Sequence, residues 1–206
     1  MGDVISAEDI QNRPQAVCRI GENGMRKLVV TEFVSLDGVM EEPGWTMGFW
    51  NDDIAAFKDS ESRESDMLLL GRLTYEGFAK AWPDSKDEGA AKINGMPKYV
   101  VTTTLDKADW NNSTIIKENV MDEIAKLKQQ DGGSILVYGS GVLVDSLMEA
   151  ELVDEYRLLI YPVVLGSGKR LFKDNRAAKL KLASSKGFDN GVLALVYHPA
   201  TQEAKK

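Results

Sequence analysis

The sequence predicts one α/β domain whose central sheet is mostly parallel, flanked by helices, and closed by a C-terminal antiparallel hairpin. Three stretches carry that expectation. In residues 134–172 an apolar run ends at Gly139-Ser140-Gly141, a short apolar helix follows, and a second apolar run (156–164) ends in Gly166-Ser167-Gly168. This is a strand, glycine turn, helix, strand unit, the building block of parallel sheets. Residues 28–34 read as a buried strand from their β-branched content, closed by the turn-forming Ser35-Leu36-Asp37-Gly38. Residues 179–188 and 192–198 are strand patterns joined through Asp189-Asn190-Gly191, a strong hairpin signal.

The totals agree with one domain. The chain has 206 residues, 43% of them hydrophobic and 28% charged, with six prolines and no low-complexity run to mark a linker. Residues 1–24 are polar and aperiodic, whereas Met25 opens directly onto the first strand, so a leader that is disordered or foreign to the domain is expected before a domain at 25–198 and a tail at 199–206. A net charge of −7 argues against a nucleic-acid footprint. The single cysteine, Cys18, excludes an internal disulfide, and the single histidine, His198, excludes multi-histidine metal sites, so no metal is expected. With no apolar run of membrane length and no signal-peptide core, a cytoplasmic protein is expected.

In chain order, residues 41–50 form a loop heavy in aromatics, and Asn51 and Asp52 lead into a helix reaching about Glu64 through Ile54, Phe57 and Lys58. Trp45, Trp50 and Phe57 form either one wall of a flat ring pocket or ordinary core cover. A short strand at 66–71 breaks at Gly71-Arg72, and Thr74 is expected to cap a helix that Pro83 stops. Residues 98–102 form another strand, ending in Thr102-Thr103-Thr104; a weaker one near 114–116 precedes a helix at 120–128, with Asn119 as its cap and Gly132-Gly133 as its end. His198 ends the last strand, with no acid beside it in sequence.

Glycines at a strand's carboxyl end let backbone approach a ligand, and a helix start attracts phosphate, so a nucleotide-type ligand is the first hypothesis. Two familiar motifs fail here. The turn at 139–141 has Val144 where a dinucleotide fingerprint needs its third glycine, and Gly168-Lys169 lacks the earlier glycine and the following Ser/Thr of a phosphate-binding loop. Asp37, at a strand's carboxyl end, is either a ligand contact or an Asp-Gly turn former.

From about Met25 to His198 the chain resembles the dihydrofolate reductase-like fold, and within it the C-terminal reductase domain of the riboflavin-biosynthesis deaminase/reductase and its stand-alone relatives. The resemblance rests on Gly71-Arg72-Leu73-Thr74-Tyr75-Glu76, on Val101-Thr102-Thr103-Thr104, on Val137-Tyr138-Gly139-Ser140-Gly141, and on residues 162–172. It implies NADPH as cofactor, bound by Gly71, Arg72, Thr74, Thr102, Thr103, Thr104, Gly139, Ser140, Gly141 and Val142. Arg72 would take the 2′-phosphate as a permanent cationic fork. The resemblance also implies a small-molecule substrate, pyrimidine- or pteridine-like, reduced in the manner of 5-amino-6-(5-phosphoribosylamino)uracil reductase, and a homodimer paired through an apolar edge strand at 156–164. Asp37, or Asp53 in the Trp50 to Lys58 segment, would supply the proton or hold a water that does, and Trp45, Trp50 and Phe57 would face the substrate. Deaminase chemistry is excluded, since its zinc motif needs more cysteine and histidine than the chain has. Two alternatives stand beside this reading: a pterin reductase of dihydrofolate type, and a non-catalytic NADP(H)-binding homodimer that kept the fold.

Overall fold

A computed structural model describes residues 25–87, 89–174 and 177–200. The expected leader with Cys18, and residues 201–206 of the expected tail, lie outside the described residues. Among the described residues eight strands form: β1 (Leu28–Ser35), β2 (Ser65–Gly71), β3 (Lys98–Val101), β4 (Ser113–Ile116), β5 (Ser134–Tyr138), β6 (Glu155–Tyr161), β7 (Leu180–Gly187) and β8 (Leu193–Pro199). The α-helices are α1 (Asp52–Glu64), α2 (Arg72–Ala81), α3 (Ala90–Gly95), α4 (Val120–Lys128) and α5 (Gly141–Glu149), and a 3-10 helix forms at Pro43–Phe49 within the expected loop. The strands make one sheet in the order β4-β3-β2-β5-β1-β6-β8-β7. Pairs among β1 to β6 are parallel, and β8 pairs antiparallel with β6 and β7. The expected α/β architecture with its closing hairpin is therefore what forms.

Covering both faces explains the apolar strands. Leu28, Val30 and Val34 of β1 share a core with Ile124 and Leu127 of α4 and with Leu143, Val144 and Leu147 of α5. Val29 packs on the other face with Tyr75 and Ile93. Parallel strands buried on both sides read as near-continuous hydrophobic runs. The α5 residues at 143, 144 and 147 lie on one helical face, and each fully buried side chain contributes about 1.5–3 kcal/mol. The same logic corrects the expected edge strand: β6 lies between β1 and β8, so its apolar sequence reflects burial rather than an exposed border.

Two expected caps are also corrected. Gly71, not Thr74, holds the N-cap position of α2, because β2 runs straight into the helix at Arg72. Asn119 precedes α4 but in a left-handed conformation, φ 48°, with no side-chain capping bond; Asp122 and Glu123 in the first turn meet the helix dipole instead. Asn51 does cap α1, its side chain accepting the Ile54 N–H at 3.0 Å. The α4 helix ends at Lys128, ahead of Gly132-Gly133.

Candidate active site

The sheet opens between β5 and β1. The last residue of β5, Tyr138, pairs with Thr31, while β1 continues to Ser35 beside β6 alone. After Tyr138 the chain turns into α5, so β1 from Glu32 onward has lost its β5 neighbour. A cleft of about 1510 Å³ lies over this gap and over the carboxyl ends of β2, β3 and β5. Ligand crevices of open α/β sheets sit at such points.

The turn beneath the cleft is built to stay narrow. Gly139 and Ser140 take φ values of 55° and 63°, and a Cβ on Gly139 would stand 2.9 Å from Thr74 Oγ1. Only glycine meets both demands there. The Ser140 hydroxyl accepts the Gly71 N–H at 2.8 Å and donates to the Tyr138 carbonyl at 2.9 Å, while the Ser140 N–H donates to Thr74 Oγ1 at 3.1 Å. Ser140 and Thr74 thus weld the ends of β2 and β5 together. The first N–H groups of α5, at Gly141 and Val142, have no acceptor within the helix and belong to residues lining the cleft, an arrangement that can hold a phosphate.

Arg72 stands on the cleft with its guanidinium 3.0 Å from Glu76, one turn along α2, and its side chain is 40% exposed. A pair that exposed is weakly held and can exchange for a phosphate. Thr102 Oγ1 accepts the N–H groups of Thr104 and Leu105, both at 3.1 Å, which fixes the turn after β3 and leaves Thr103 and Thr104 exposed on the cleft. Every residue expected to meet a cofactor, from Gly71, Arg72 and Thr74 through Thr102–Thr104 to Gly139–Val142, lines this one cleft. The narrow turn, the helix start and the arginine fit a phosphate-bearing dinucleotide.

The residues expected on the substrate side fall elsewhere. Asp37 does not line the cleft; its carboxylate accepts from Ser35 Oγ at 2.7 Å and from the N–H groups of Leu165 at 3.1 Å and Gly166 at 2.8 Å. Those bonds, the serine first, hold its pKa down to about 2. The carboxylate is therefore ionised at neutral pH, and its bonds tie the turn after β1 to the loop after β6. Asp53 is ion-paired with Lys186 of β7 at 3.0 Å, away from the cleft.

Trp45 and Phe57 pack into an apolar cluster around Tyr161, and Trp50 stands edge-on to Phe33 with ring centroids 6.5 Å apart. The rings that do line the cleft are Phe33, Phe78, Tyr138 and Phe172. His198 is held by the Asp154 carbonyl, just ahead of β6, at the opposite end of the sheet.

The cleft floor carries a polar cluster of Lys58, Glu61 and Glu32, of which the motifs mark only Lys58. Lys58, one turn before Glu61 on α1, lies 2.6 Å from the Glu61 carboxylate and donates to Thr31 Oγ1 at 2.7 Å. Its ammonium also sits 4.6 Å above the Tyr138 ring. Burial alone would pull Lys58 down, but Glu61, Tyr138 and Glu32 outweigh it, so its pKa is raised. Glu32 lies on the neighbouring β1 position, 5% exposed, with Oε1 buried and bonded to nothing. Burial drives its pKa well up, only partly opposed by Lys58 and by the Gly139 N–H. The signal for it in the sequence is an acid inside an otherwise apolar strand, since buried acids are rare unless paired or functional.

Among the described residues no cluster of acidic, histidine or cysteine side chains is suited to a metal, and no helix is long and apolar enough to cross a membrane. The family model of the RibD C-terminal domain matches residues 26–194. The chain is 33% identical over 183 residues to the uncharacterized protein YyaP of Bacillus subtilis (strain 168), covering 84% of this chain and 95% of that protein. Among solved structures it is similar to a putative riboflavin biosynthesis protein from Shewanella sp. PV-4, with TM-score 0.70, 21% identity, and 84% and 99% of the two chains covered. It is also similar in fold to dihydrofolate reductase from Enterococcus faecalis complexed with NADP(H), with TM-score 0.58, 16% identity, and 84% and 96% covered.

Proposed function

The chain belongs to the RibD C-terminal domain family, and from that premise we propose that it is an NADPH-dependent reductase of a pyrimidine- or pteridine-like small molecule. The observation that carries the reading is the convergence of the glycine turn, the α5 start and Arg72 on one cleft that also exposes the edge of β1. NADPH, when bound, supplies the hydride. The chain's own residues do the rest: amides at Gly141 and Val142 hold the pyrophosphate, Arg72 exchanges Glu76 for the 2′-phosphate, and Thr103 and Thr104 offer hydroxyls to the adenosine side. Phe33 and Tyr138 bound the space beside β1 where a flat ring fits, and Lys169 and Arg170, also on the cleft, offer cations to a substrate phosphate. Alignment of the two reactants is the protein's main contribution.

The test is a titration followed by a turnover screen. Arg72→Ala weakens NADPH by about 1.5–3 kcal/mol in a fluorescence titration and leaves NADH nearly unchanged. Equal losses for both cofactors would remove Arg72 from the 2′-phosphate. NADPH oxidation across a panel of pyrimidine and pteridine compounds then tests the reaction; binding without turnover of any of them would favour a non-catalytic nucleotide-binding protein. We also propose a homodimer, supported now by β7, an edge strand of the sheet, which is exposed along nearly its whole length and carries Leu182, with the exposed Leu193 of β8 opposite Gly187 near its far end. A monomer mass in light scattering at micromolar concentration would overturn that assignment.

A further inference from the structure

The acids expected to drive the reaction are spent elsewhere, yet the cleft contains one that is not. Glu32 is 5% exposed, lines the cleft, and keeps Oε1 without a hydrogen-bond partner. Leaving a buried polar atom bare is costly, and far more so for a charged carboxylate than for a neutral carboxyl. A bare buried atom of this kind calls for an explanation, and a catalytic role is one of the few available.

The surroundings of Glu32 decide its charge. From α1, Lys58 attracts a negative charge, but Glu61 already takes that lysine at 2.6 Å and itself repels a second carboxylate. From β5, Tyr138 is neutral, its phenol pushed up by burial, and the Gly139 N–H offers one bond. From β6, Arg157 is committed to Glu64 and Glu155, each at 2.6 Å. Across the cleft, Lys169 is paired with Glu41 at 2.5 Å, and Arg170 donates through Nε to the Asp37 carbonyl at 3.1 Å. Of these neighbours Lys58 is the cation that acts on Glu32, its pull is shared with Glu61, and burial outweighs it in favour of the protonated form.

We propose that Glu32 is the catalytic acid of the reductase reaction, delivering its carboxyl proton to the heteroatom of the double bond being reduced. The assignment rests on the reductase reading above. For a C=N substrate the carbon gains the hydride carried by NADPH, the C=N π bond breaks, and the nitrogen takes the Glu32 proton. The products are an N–H amine, the oxidised cofactor and a Glu32 carboxylate that water in the open cleft reprotonates. The position suits the step: Glu32 sits where β1 has lost its β5 neighbour, next to Phe33 and beside the Gly139 turn that faces it across the gap. Lys58 is a positioning residue, tying α1 to Thr31 on the same strand and stabilising the carboxylate left after transfer.

The experiment has a cofactor-free arm and a turnover arm. In the first, wild type and Glu32→Gln are melted across a pH series without ligand. A carboxyl whose folded pKa exceeds its unfolded value of about 4.3 costs the wild type stability as pH rises through that window, so Glu32→Gln should gain on the wild type as pH rises from about 4. A protonated-carboxyl C=O infrared band at neutral pH should be present in the wild type and lost in the variant. In the second arm, Glu32→Gln should lower kcat about 10²–10⁴-fold and abolish the alkaline fall of the pH profile, with NADPH affinity within about twofold of wild type. Glu32→Asp, which keeps an acid of shorter reach, should recover part of the rate. Parallel melting curves with no infrared band would show an ionised Glu32 and overturn the acid role, as would wild-type kcat and an unchanged pH profile in Glu32→Gln. A wild type that binds NADPH but turns over nothing in the panel would defeat the reductase reading and the acid role with it, a different outcome from an active enzyme indifferent to Glu32.

Discussion

Glu32, inside β1, and Asp37, in the turn that follows it, stand five positions apart, and their carboxyls are driven in opposite directions. At the turn, Asp37 collects a hydroxyl and two backbone N–H groups and is held at about pKa 2. In the cleft floor, Glu32 has an oxygen with no donor at all, and burial pushes it far upward. The difference teaches that donors, more than distance from a strand end, decide whether an acid becomes a structural anion or a proton source. It also teaches where those donors come from. Asp37 is met by the loop after β6, whose amides face the turn, whereas Glu32 faces a gap that β5 has vacated.

The largest effect comes from the charge pair that flanks Glu32. Glu61 is fully buried and Lys58 nearly so, at 0% and 12% side-chain exposure, and removing one partner of such a pair leaves a bare charge in the interior. Lys58→Met should destabilise the fold by about 3–5 kcal/mol in denaturant unfolding. A Lys58→Met/Glu61→Leu double variant should recover much of that loss, because the cost lies in the stranded carboxylate. A single-variant loss below about 1 kcal/mol would mean that the cleft floor is hydrated like a surface, and the contrast with the exposed turn would collapse.

A smaller effect, opposite in its pH dependence to that of Glu32, belongs to Asp37. Its folded pKa of about 2 lies below the ordinary value of 3.8, so its contribution to stability is complete above about pH 4 and is lost as pH falls toward 2. Asp37→Asn should therefore melt below the wild type at pH 6, with the gap closing between about pH 4 and pH 2. For Glu32→Gln the gap opens in the variant's favour as pH rises. A common pH series on the three proteins should give these two opposed trends, and parallel curves for Asp37→Asn would mean that the three bonds to its carboxylate carry no stability.

The sheet and the cofactor half of the cleft are legible in the sequence because both rest on local signals. β-Branched runs mark buried strands, Asp189-Asn190-Gly191 marks the hairpin, and glycines mark the turn after β5. Strand order carries no such local mark. The apolar run of β6 reads as an edge, and only the crossover of the chain puts it between β1 and β8. The acid chemistry is hidden for the same reason. Glu32 stands inside an apolar run, and its place at a gap depends on β5 ending opposite Thr31, a fact of tertiary register. The aromatic wall fails differently: Trp45 and Phe57 are as suited to a core as to a pocket, and Tyr161 supplies the core.

The smallest effect is expected at Asp53, and it closes the comparison of carboxylates. Asp53 begins α1, where a negative charge favours the helix dipole, and it pairs with Lys186 at 3.0 Å. Both partners are largely solvated, at 45% and 66% side-chain exposure, and pairs of that kind contribute little. Asp53→Asn should change stability by no more than about 0.5–1 kcal/mol, with Lys186→Ala giving a similar value. Since Asp53 does not line the cleft, turnover should stay within about twofold of wild type, where a positioned acid would cost at least about a hundredfold. A steady-state assay of the two variants beside Glu32→Gln decides the matter. If Asp53→Asn silenced turnover while Glu32→Gln did not, the proton would have to enter from the α1 start, the substrate would lie against Trp50 and Phe33 rather than over Tyr138, and the chemistry would be that of a pterin-type pocket.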